Sequence, residues 1–217
     1  LKGKTVVIIA RTGSGKTESS MLPVFSSILS QNDKNPLQGI KALYIAPLRA
    51  LNRDLLIRLE WWASILGLTI DVRHGDTTQH QRRKQALSPP DILITTPETL
   101  QSMMMGRVLR EHLASVRAVI VDEIHELFAD KRGMQLAAGL ERLVNIAGDF
   151  QRIGLSATVG DPKDIGTYLC GARPVTIVDA TAAKDFDIRI EYPVPGPDDE
   201  DLAKQLSTIP ATAARIR

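Results

Sequence analysis

A glycine-rich stretch near the amino terminus has the composition of a phosphate-binding loop. Residues Ala10 to Thr17 read Ala-Arg-Thr-Gly-Ser-Gly-Lys-Thr, after an apolar run and before a segment with helical spacing. Small residues let successive backbone N–H groups point at one anion, and the amino end of the next helix adds a favourable dipole. In such loops the lysine reaches the β- and γ-phosphates and the last hydroxyl holds Mg²⁺. The phosphate-binding residues predicted from this pattern are Thr12, Gly13, Ser14, Gly15, Lys16 and Thr17, with Thr17 also a Mg²⁺ ligand.

Two acids at the end of another apolar run form the second candidate feature. Asp122 and Glu123 directly follow Ala118 to Val121. Seen alone, such a pair is more often a solvated helix start. Beside a phosphate loop, the first acid completes the Mg²⁺ shell and the second polarises the attacking water. We therefore predict nucleotide hydrolysis by Lys16, Asp122 and Glu123, and we expect Lys16 and Asp122 to face each other across adjoining strand ends.

These residues need a framework, and the apolar pattern supplies one. Short runs rich in Val and Ile predict strands buried on both faces, and longer segments with helical spacing, such as 48–66 and 134–147, lie between them. Alternating strands and helices are typical of a doubly wound α/β domain, a parallel sheet of about seven strands with helices on both faces. The predicted strands are Thr5–Ala10, Ala42–Ala46, Thr69–Arg73, Asp91–Thr95, Ala118–Asp122, Arg152–Ser156 and Val175–Val178.

The character of the sequence changes after Asp179. Residues 187–191 alternate apolar and charged side chains, and residues 193–201 concentrate Pro, Gly and acids. Such a composition predicts a linker. We expect one domain over residues 1–185, then a linker and the start of an absent second domain over residues 186–217.

The composition says little about which partners the protein binds. The 217 residues carry a formal net charge of +2, with 43% hydrophobic and 24% charged residues, as in globular domains. A contact with nucleic acid therefore has to come from a local patch rather than from bulk charge. Cys170 is the only cysteine, which excludes an intramolecular disulfide and fits a reducing cytoplasm. No apolar run approaches the ~20 residues of a membrane span, and the first residues lack a secretory signal pattern.

Taken together, the motifs resemble the first RecA-like motor domain of superfamily 2 helicases of the DExH-box type. The resemblance rests on the phosphate loop, on Asp122-Glu123-Ile124-His125, and on three further segments at predicted strand ends. Those segments are Ala46-Pro47-Leu48-Arg49-Ala50-Leu51, Thr95-Thr96-Pro97-Glu98-Thr99-Leu100 and Ser156-Ala157-Thr158. The sequences of these segments, together with His74-Gly75-Asp76-Thr77, are most similar to those of the large helicase-related (Lhr) group.

The resemblance implies an ATP-dependent helicase or translocase that needs ATP, Mg²⁺, a nucleic-acid strand and a second motor domain of the same polypeptide. It favours DNA over RNA without deciding between them. It also implies a nucleic-acid track formed by Pro47, Arg49, Gly75, Asp76, Thr96, Pro97 and Glu98. The residues that it implies for coupling of the γ-phosphate site to strand movement are His125, Ser156 and Thr158.

The sequence departs from the pattern of this group at two points, and two other interpretations of its function stay open. Arg11 occupies a loop position that is usually Pro in this group, and the segment that reads adenine in relatives is not in the sequence, so ATP specificity rests on the resemblance. One rival is a phosphate-loop enzyme of another class, such as a kinase or transporter ATPase. The other is a catalytically silent module that binds nucleic acid in response to nucleotide.

Overall fold

The protein is described here by a computed structural model that covers residues 3–32, 38–47, 53–128, 130–157 and 161–181. These residues belong to one compact unit bounded at Thr181. The predicted boundary near residue 185 and the predicted linker over 186–217 lie outside the described residues, as do Arg49 and Thr158. Within the described residues, no helix is long and apolar enough to cross a membrane.

In the described part of the chain, seven strands form one sheet in the order β3-β4-β2-β5-β6-β1-β7, and every adjacent pair is parallel. The predicted doubly wound parallel sheet is confirmed, and the predicted strand bounds agree within one or two residues. The strands are β1 (Val6–Ile9), β2 (Ala42–Ile45), β3 (Ile70–Arg73), β4 (Ile92–Thr95), β5 (Ala118–Val121), β6 (Gln151–Ser156) and β7 (Thr176–Asp179).

Eight helices in the described residues connect these strands. Six of them are the first helix after a strand that ends in, or is followed by, predicted site residues, so the amino ends of these six helices lie at the same edge of the sheet as the carboxyl ends of those strands. The helices are α1 (Lys16–Asn32), α2 (Arg53–Ile65), α3 (Gln79–Leu87), α4 (Pro97–Met105), α5 (Arg107–Leu113), α6 (Ile124–Phe128), α7 (Lys131–Ala147) and α8 (Pro162–Cys170).

The helices cover the sheet on both faces because successive strand side chains point in opposite directions. In β1, Val7 and Ile9 belong to one core cluster with residues of α4 to α8, whereas Ile8 packs with α1 and α2 on the other face. Parallel strands buried on both faces need this continuous apolar pattern. The two layers leave the ends of the strands open, which is where the polar motifs lie.

The sheet order corrects one expectation. Because β6 lies between β1 and β5, Lys16 and Asp122 do not follow adjoining strands. β6 forms parallel pairs with both neighbours, with Ile8 opposite Leu155 on one side and Ile120 opposite Ile153 on the other. Apolar strands of similar length do not reveal from sequence which of them pair, so this insertion was not predictable from the motifs.

Candidate active site

The phosphate loop joins β1 to α1 by a tight turn. Gly13 and Gly15 have φ angles of 76° and 86°, a left-handed conformation that glycine adopts without steric cost. The Ser14 amide donates to the Arg11 carbonyl at 3.2 Å, which closes the turn. Lys16 begins α1, and its buried ammonium donates to the Ala10 carbonyl at 2.6 Å. The lysine charge is thus held inside the curve of the loop.

The acid pair lies where β5 leaves the sheet. The Asp122 amide still donates to the Ile45 carbonyl of β2 at 2.8 Å. The Asp122 carboxylate is buried, and it accepts hydrogen bonds from the Glu123 amide at 2.9 Å and from the Tyr44 hydroxyl. Its orientation is therefore fixed at both oxygens.

Glu123 has a backbone conformation that differs from that of its neighbours. Its φ of 46° is the only positive value at a non-glycine position among the described residues. The left-handed region brings Cβ close to the backbone and costs a residue such as Glu roughly 1–2 kcal/mol. Both Glu123 and Asp122 line the cleft described below.

Burial changes the acidity of the groups around the acid pair. Burial, followed by the neighbouring Asp122 charge, raises the pKa of Glu123 above its usual value. The same two causes raise the pKa of the Tyr44 hydroxyl well above its usual value. Glu123 is therefore a better proton acceptor than an exposed carboxylate, and Tyr44 stays a hydrogen-bond donor at neutral pH.

The loop and the acids line one cleft of about 460 Å³. Although β6 separates their strands, Lys16 and Asp122 both reach this cleft, as the predicted function requires. Predicted residues that line it are Thr12, Gly13, Gly15, Lys16, Thr17, Asp122 and Glu123. Ser14 instead lines a second pocket of about 430 Å³, which shares Lys16 and is bounded by apolar residues of β1 and β7.

The cleft also contains residues that the motifs did not indicate. Leu55 and Arg58 of α2 line it, and the Arg58 guanidinium donates to Glu18 of α1 at 2.5 Å. An arginine within an ordinary amphipathic helix gives no sequence signal for such a position. The pair joins α1 to α2 along the lining of the cleft.

His125 connects the acids to β6. Its Nδ1 atom lies 3.4 Å from the Glu123 carboxylate and 3.1 Å from the Ser156 hydroxyl. Ser156 is fully buried at the end of β6, the strand between the loop and the acids. The predicted coupling residues His125 and Ser156 therefore come together, whereas Thr158 lies outside the described residues.

The predicted nucleic-acid residues lie at the ends of β2, β3 and β4. Pro47 follows β2, Gly75 and Asp76 follow β3, and Thr96 and Pro97 follow β4. These strands are neighbours in the sheet, so their ends form one continuous strip that continues to the acids of β5. Arg49 lies outside the described residues.

The Thr96–Glu98 segment forms the start of α4. Thr96 is the N-cap and its side chain accepts the Thr99 amide at 3.4 Å, while Pro97 occupies the first turn, where a missing N–H does no harm. The Glu98 carboxylate pairs with Arg132. Burial by itself raises the pKa of Glu98, but the hydrogen bonds from Arg132, from the Glu98 amide and from Thr96, together with the Arg132 charge, lower the pKa overall. Glu98 therefore has a structural partner within the chain.

The loop after β3 is held by Arg82 of α3. The Arg82 guanidinium donates to the carbonyls of Thr77 and Gly75, each at 2.8 Å. From the sequence, Arg82 belongs to a basic cluster with Arg83 and Lys84 that favours a solvated face, with nucleic acid as the rival partner. Its guanidinium instead fixes the loop that carries the exposed Gly75 and Asp76, which a charge pattern alone does not reveal.

The chain is also similar in sequence to known proteins. The sequence pattern of the family described as DEAD/DEAH box helicase matches residues 1–165. "Lhr helicase/ probable uracil glycosylase" of Mycolicibacterium smegmatis is 44% identical over 207 residues, which is 89% of this chain and 14% of that protein. "ATP-dependent helicase Lhr-Core" of Methanothermobacter thermautotrophicus is 40% identical over 210 residues, which is 89% of this chain and 24% of that protein.

The fold is similar to a solved structure as well. The Mycobacterium smegmatis helicase Lhr, bound to ssDNA and AMP-PNP, superposes with a TM-score of 0.74 at 42% identity. The match covers 99% of this chain and 28% of that one. The chain thus spans between 14% and 28% of the length of these relatives.

Proposed function

This chain belongs to the DEAD/DEAH box helicase family, and from that premise we propose that its cleft hydrolyses ATP to drive movement along a nucleic-acid strand. The observation that carries the proposal is the meeting of Lys16 and Thr17 with Asp122 and Glu123 in one cleft. Phosphate-loop motors need this combination of a cation, an oxygen pair for the metal and a carboxylate for the water.

The loop would bind the triphosphate through its backbone N–H groups and Lys16. The Lys16 ammonium now donates to a neutral carbonyl of its own loop. A phosphate oxygen is a stronger acceptor because the hydrogen bond is then charge-assisted on both sides. Lys16 would therefore turn from Ala10 to the β- and γ-phosphates when ATP binds.

Asp122 and Thr17 would hold the Mg²⁺ ion. Both offer oxygen ligands, and Mg²⁺ in such sites is bound by one or two protein groups together with substrate phosphates and water. When bound, the ion neutralises charge on the phosphates. Because Asp122 is already fixed by Tyr44 and by the Glu123 amide, little rearrangement is needed before it takes this role.

Glu123 would orient the attacking water and accept its proton. Its raised pKa suits a group that must be ionised at neutral pH and still gain a proton during the reaction. His125, placed between Glu123 and Ser156, would report the state of the γ-phosphate to β6. We propose Ser156, and Thr158 just beyond it, as the start of the coupling path.

The strip formed by the ends of β2, β3 and β4 is our proposed nucleic-acid track. Backbone N–H groups and Arg49 would contact phosphates largely independently of sequence. The relative of known structure is described as bound to ssDNA, which supports a single strand as the ligand. Glu98 would act within this track by holding the start of α4 through Arg132 rather than by touching phosphate.

Most of the motor lies outside this chain in the relatives. We propose that residues 186–217 lead to a second motor domain, which would supply arginines to the γ-phosphate, and that the complete protein works in a reducing cytoplasm, with which the single cysteine of these 217 residues agrees. An arginine finger contributes ~10³ to 10⁵ in rate. The 217-residue chain alone should therefore bind nucleotide weakly and hydrolyse it slowly by about that factor.

The test is ATP hydrolysis and unwinding by the full-length protein on matched DNA and RNA substrates. Lys16→Ala should abolish both activities on every substrate. Lys4→Ala is the matched control, because Lys4 is exposed at the opposite end of the same strand, and it should leave them unchanged. Hydrolysis that survives Lys16→Ala, or fast turnover by the 217-residue chain that Lys16→Ala abolishes, would contradict the corresponding part of the proposal.

A further inference from the structure

Tyr44 is a polar residue behind the nucleotide cleft, in contact with Asp122, that belongs to none of the motifs. It lies in the middle of β2 and is fully buried. β2 pairs with β5 so that Tyr44 is opposite Ile120, two residues before Asp122. Its ring packs in the core cluster beneath α1 and α2, while its hydroxyl extends to the Asp122 carboxylate. The tyrosine therefore spans the distance from the core to the acid.

The contacts of Tyr44 join the two groups proposed as Mg²⁺ ligands. Its hydroxyl donates to the Oδ2 atom of Asp122, and the side chain of Thr17 interacts with the same phenolic oxygen. The other carboxylate oxygen, Oδ1, accepts the Glu123 amide at 2.9 Å. Removing the phenol would leave one oxygen of Asp122 without its protein donor and free the carboxylate to rotate.

We propose that Tyr44 is a positioning residue for Mg²⁺ binding, which holds the Asp122 carboxylate and the Thr17 hydroxyl in the orientation that the ion requires. The inference rests on the proposed function, because it concerns the same site. Groups that orient metal ligands typically contribute 10- to 100-fold to metal affinity or activity. A phenylalanine at this position would fill the same core volume and lack only the hydroxyl.

The test compares Tyr44→Phe with Tyr168→Phe. Tyr168 is a suitable control because its hydroxyl is also hydrogen-bonded inside the protein, to the Gly133 carbonyl at 2.9 Å, but on α8 at the other face of the sheet. Binding of a fluorescent ATP analogue to the full-length protein is measured as Mg²⁺ is titrated, and again in excess EDTA. Thermal unfolding of each variant is recorded without nucleotide.

For Tyr44→Phe we expect the Mg²⁺ concentration at half-saturation to rise by about 10- to 100-fold, with binding in EDTA unchanged. Tyr168→Phe should leave the Mg²⁺ titration unchanged even if it lowers the melting temperature. A Mg²⁺ midpoint for Tyr44→Phe that stays within about twofold of that of the unaltered protein overturns the inference alone. Failure of the unaltered full-length protein to bind the analogue at any Mg²⁺ concentration overturns the proposed function, and the inference with it.

A second measurement needs no change at position 44. The sequence has three tyrosines, so a chain labelled with ¹³C at tyrosine Cζ gives three signals. The Tyr44 signal is identified as the one that remains in both Tyr168→Phe and Tyr192→Phe. With saturating nucleotide it should shift when Mg²⁺ is added and stay in place when EDTA is added instead. A Tyr44 signal that does not respond to Mg²⁺ overturns the inference.

Discussion

Replacing Glu123 by Asn should make the folded chain more stable while abolishing hydrolysis. Glu123 has a φ of 46°, a conformation that Asn adopts more readily than other non-glycine residues. The substitution also removes a carboxylate that burial and Asp122 make costly to ionise. Both effects stabilise the folded variant. Glu123 is thus a residue that the proposed hydrolysis needs but that destabilises the fold.

The expected gain follows from the backbone. A left-handed residue costs roughly 1–2 kcal/mol, and Asn should recover about half of this, so we expect a gain of about 1 kcal/mol in the free energy of unfolding. For a domain of this size, 1 kcal/mol corresponds to a rise of about 2–4 °C in melting temperature. The assay is thermal and urea unfolding of the chain at pH 7 without nucleotide.

Glu123→Gln separates the charge from the backbone, because it keeps the conformational cost and removes the ionisation. The folded-state pKa of Glu123 is raised, so ionisation destabilises the fold at high pH and the penalty disappears below the unfolded-state pKa. The advantage of Glu123→Gln should therefore be absent in acid and should appear as the pH rises through the folded-state pKa. The additional advantage of Asn over Gln should not depend on pH.

The control is Glu126→Asn, an exposed acid within α6, where Asn gains nothing from the backbone and should change stability by less than about 0.5 kcal/mol. If Glu123→Asn is less stable than Glu123→Gln at neutral pH, the conformational argument fails. If Glu123→Gln shows the same advantage at acid and neutral pH, the electrostatic argument fails.

Three further changes test other parts of the fold. The hydrogen bond from Arg173, helped by Arg152 and opposed by burial, lowers the pKa of Glu141 from 4.5 to about 2. Glu141→Gln should therefore destabilise the chain at pH 7 by about 1 kcal/mol, since the group is half-exposed. Urea unfolding should show this difference in stability vanishing as the pH falls from 4.5 towards 2. Gly133→Ala would place Cβ 1.8 Å from the Leu127 carbonyl oxygen, and it should lower the free energy of unfolding by about 1–3 kcal/mol. Arg82→Ala should speed amide hydrogen exchange in the 74–77 loop, because its two 2.8 Å hydrogen bonds are lost.

Each of these three predictions would be contradicted by a specific result. A Glu141→Gln difference that persists at pH 2 would show that the ion pairs do not cause it. A Gly133→Ala chain as stable as the original would mean that α6 and α7 separate without cost, and Gly148→Ala, where the space around Cβ is open, serves for comparison as a strained position without a clash. Arg83→Ala, at the exposed neighbour of Arg82, should leave the exchange rates unchanged. Equal effects of the two arginine changes would refute the role given to Arg82.

The fold class, the strand bounds and the helicase resemblance were predictable from sequence, and all three are confirmed. Strands such as β1 and β5 are short, apolar and bounded by polar motifs, so their position follows from composition. The order of strands in the sheet was not predictable, since pairing depends on packing between distant segments. The assignment of roles to Lys16, Asp122 and Glu123 stays a prediction, supported by their shared cleft.

The residues that sequence reasoning missed have a common property. Tyr44 looks like a core residue because it lies within an apolar strand, and Arg58 looks like a surface residue because it lies within an amphipathic helix. Tyr44 reaches Asp122 only through the pairing of β2 with β5, and Arg58 reaches Glu18 and the cleft only through the packing of α2 against α1. Tertiary contacts of this kind leave no local pattern in the sequence. A phosphate loop is a continuous segment, so it does leave such a pattern.

The insertion of β6 places a third strand between the two halves of the cleft. Neighbouring strands lie about 4.8 Å apart, so the backbones of β1 and β5 are separated by roughly 9–10 Å. Side chains close this gap, because Lys16, Thr17 and Asp122 line one cleft. A displacement of β6 relative to either neighbour would therefore change the distance between the loop and the acids.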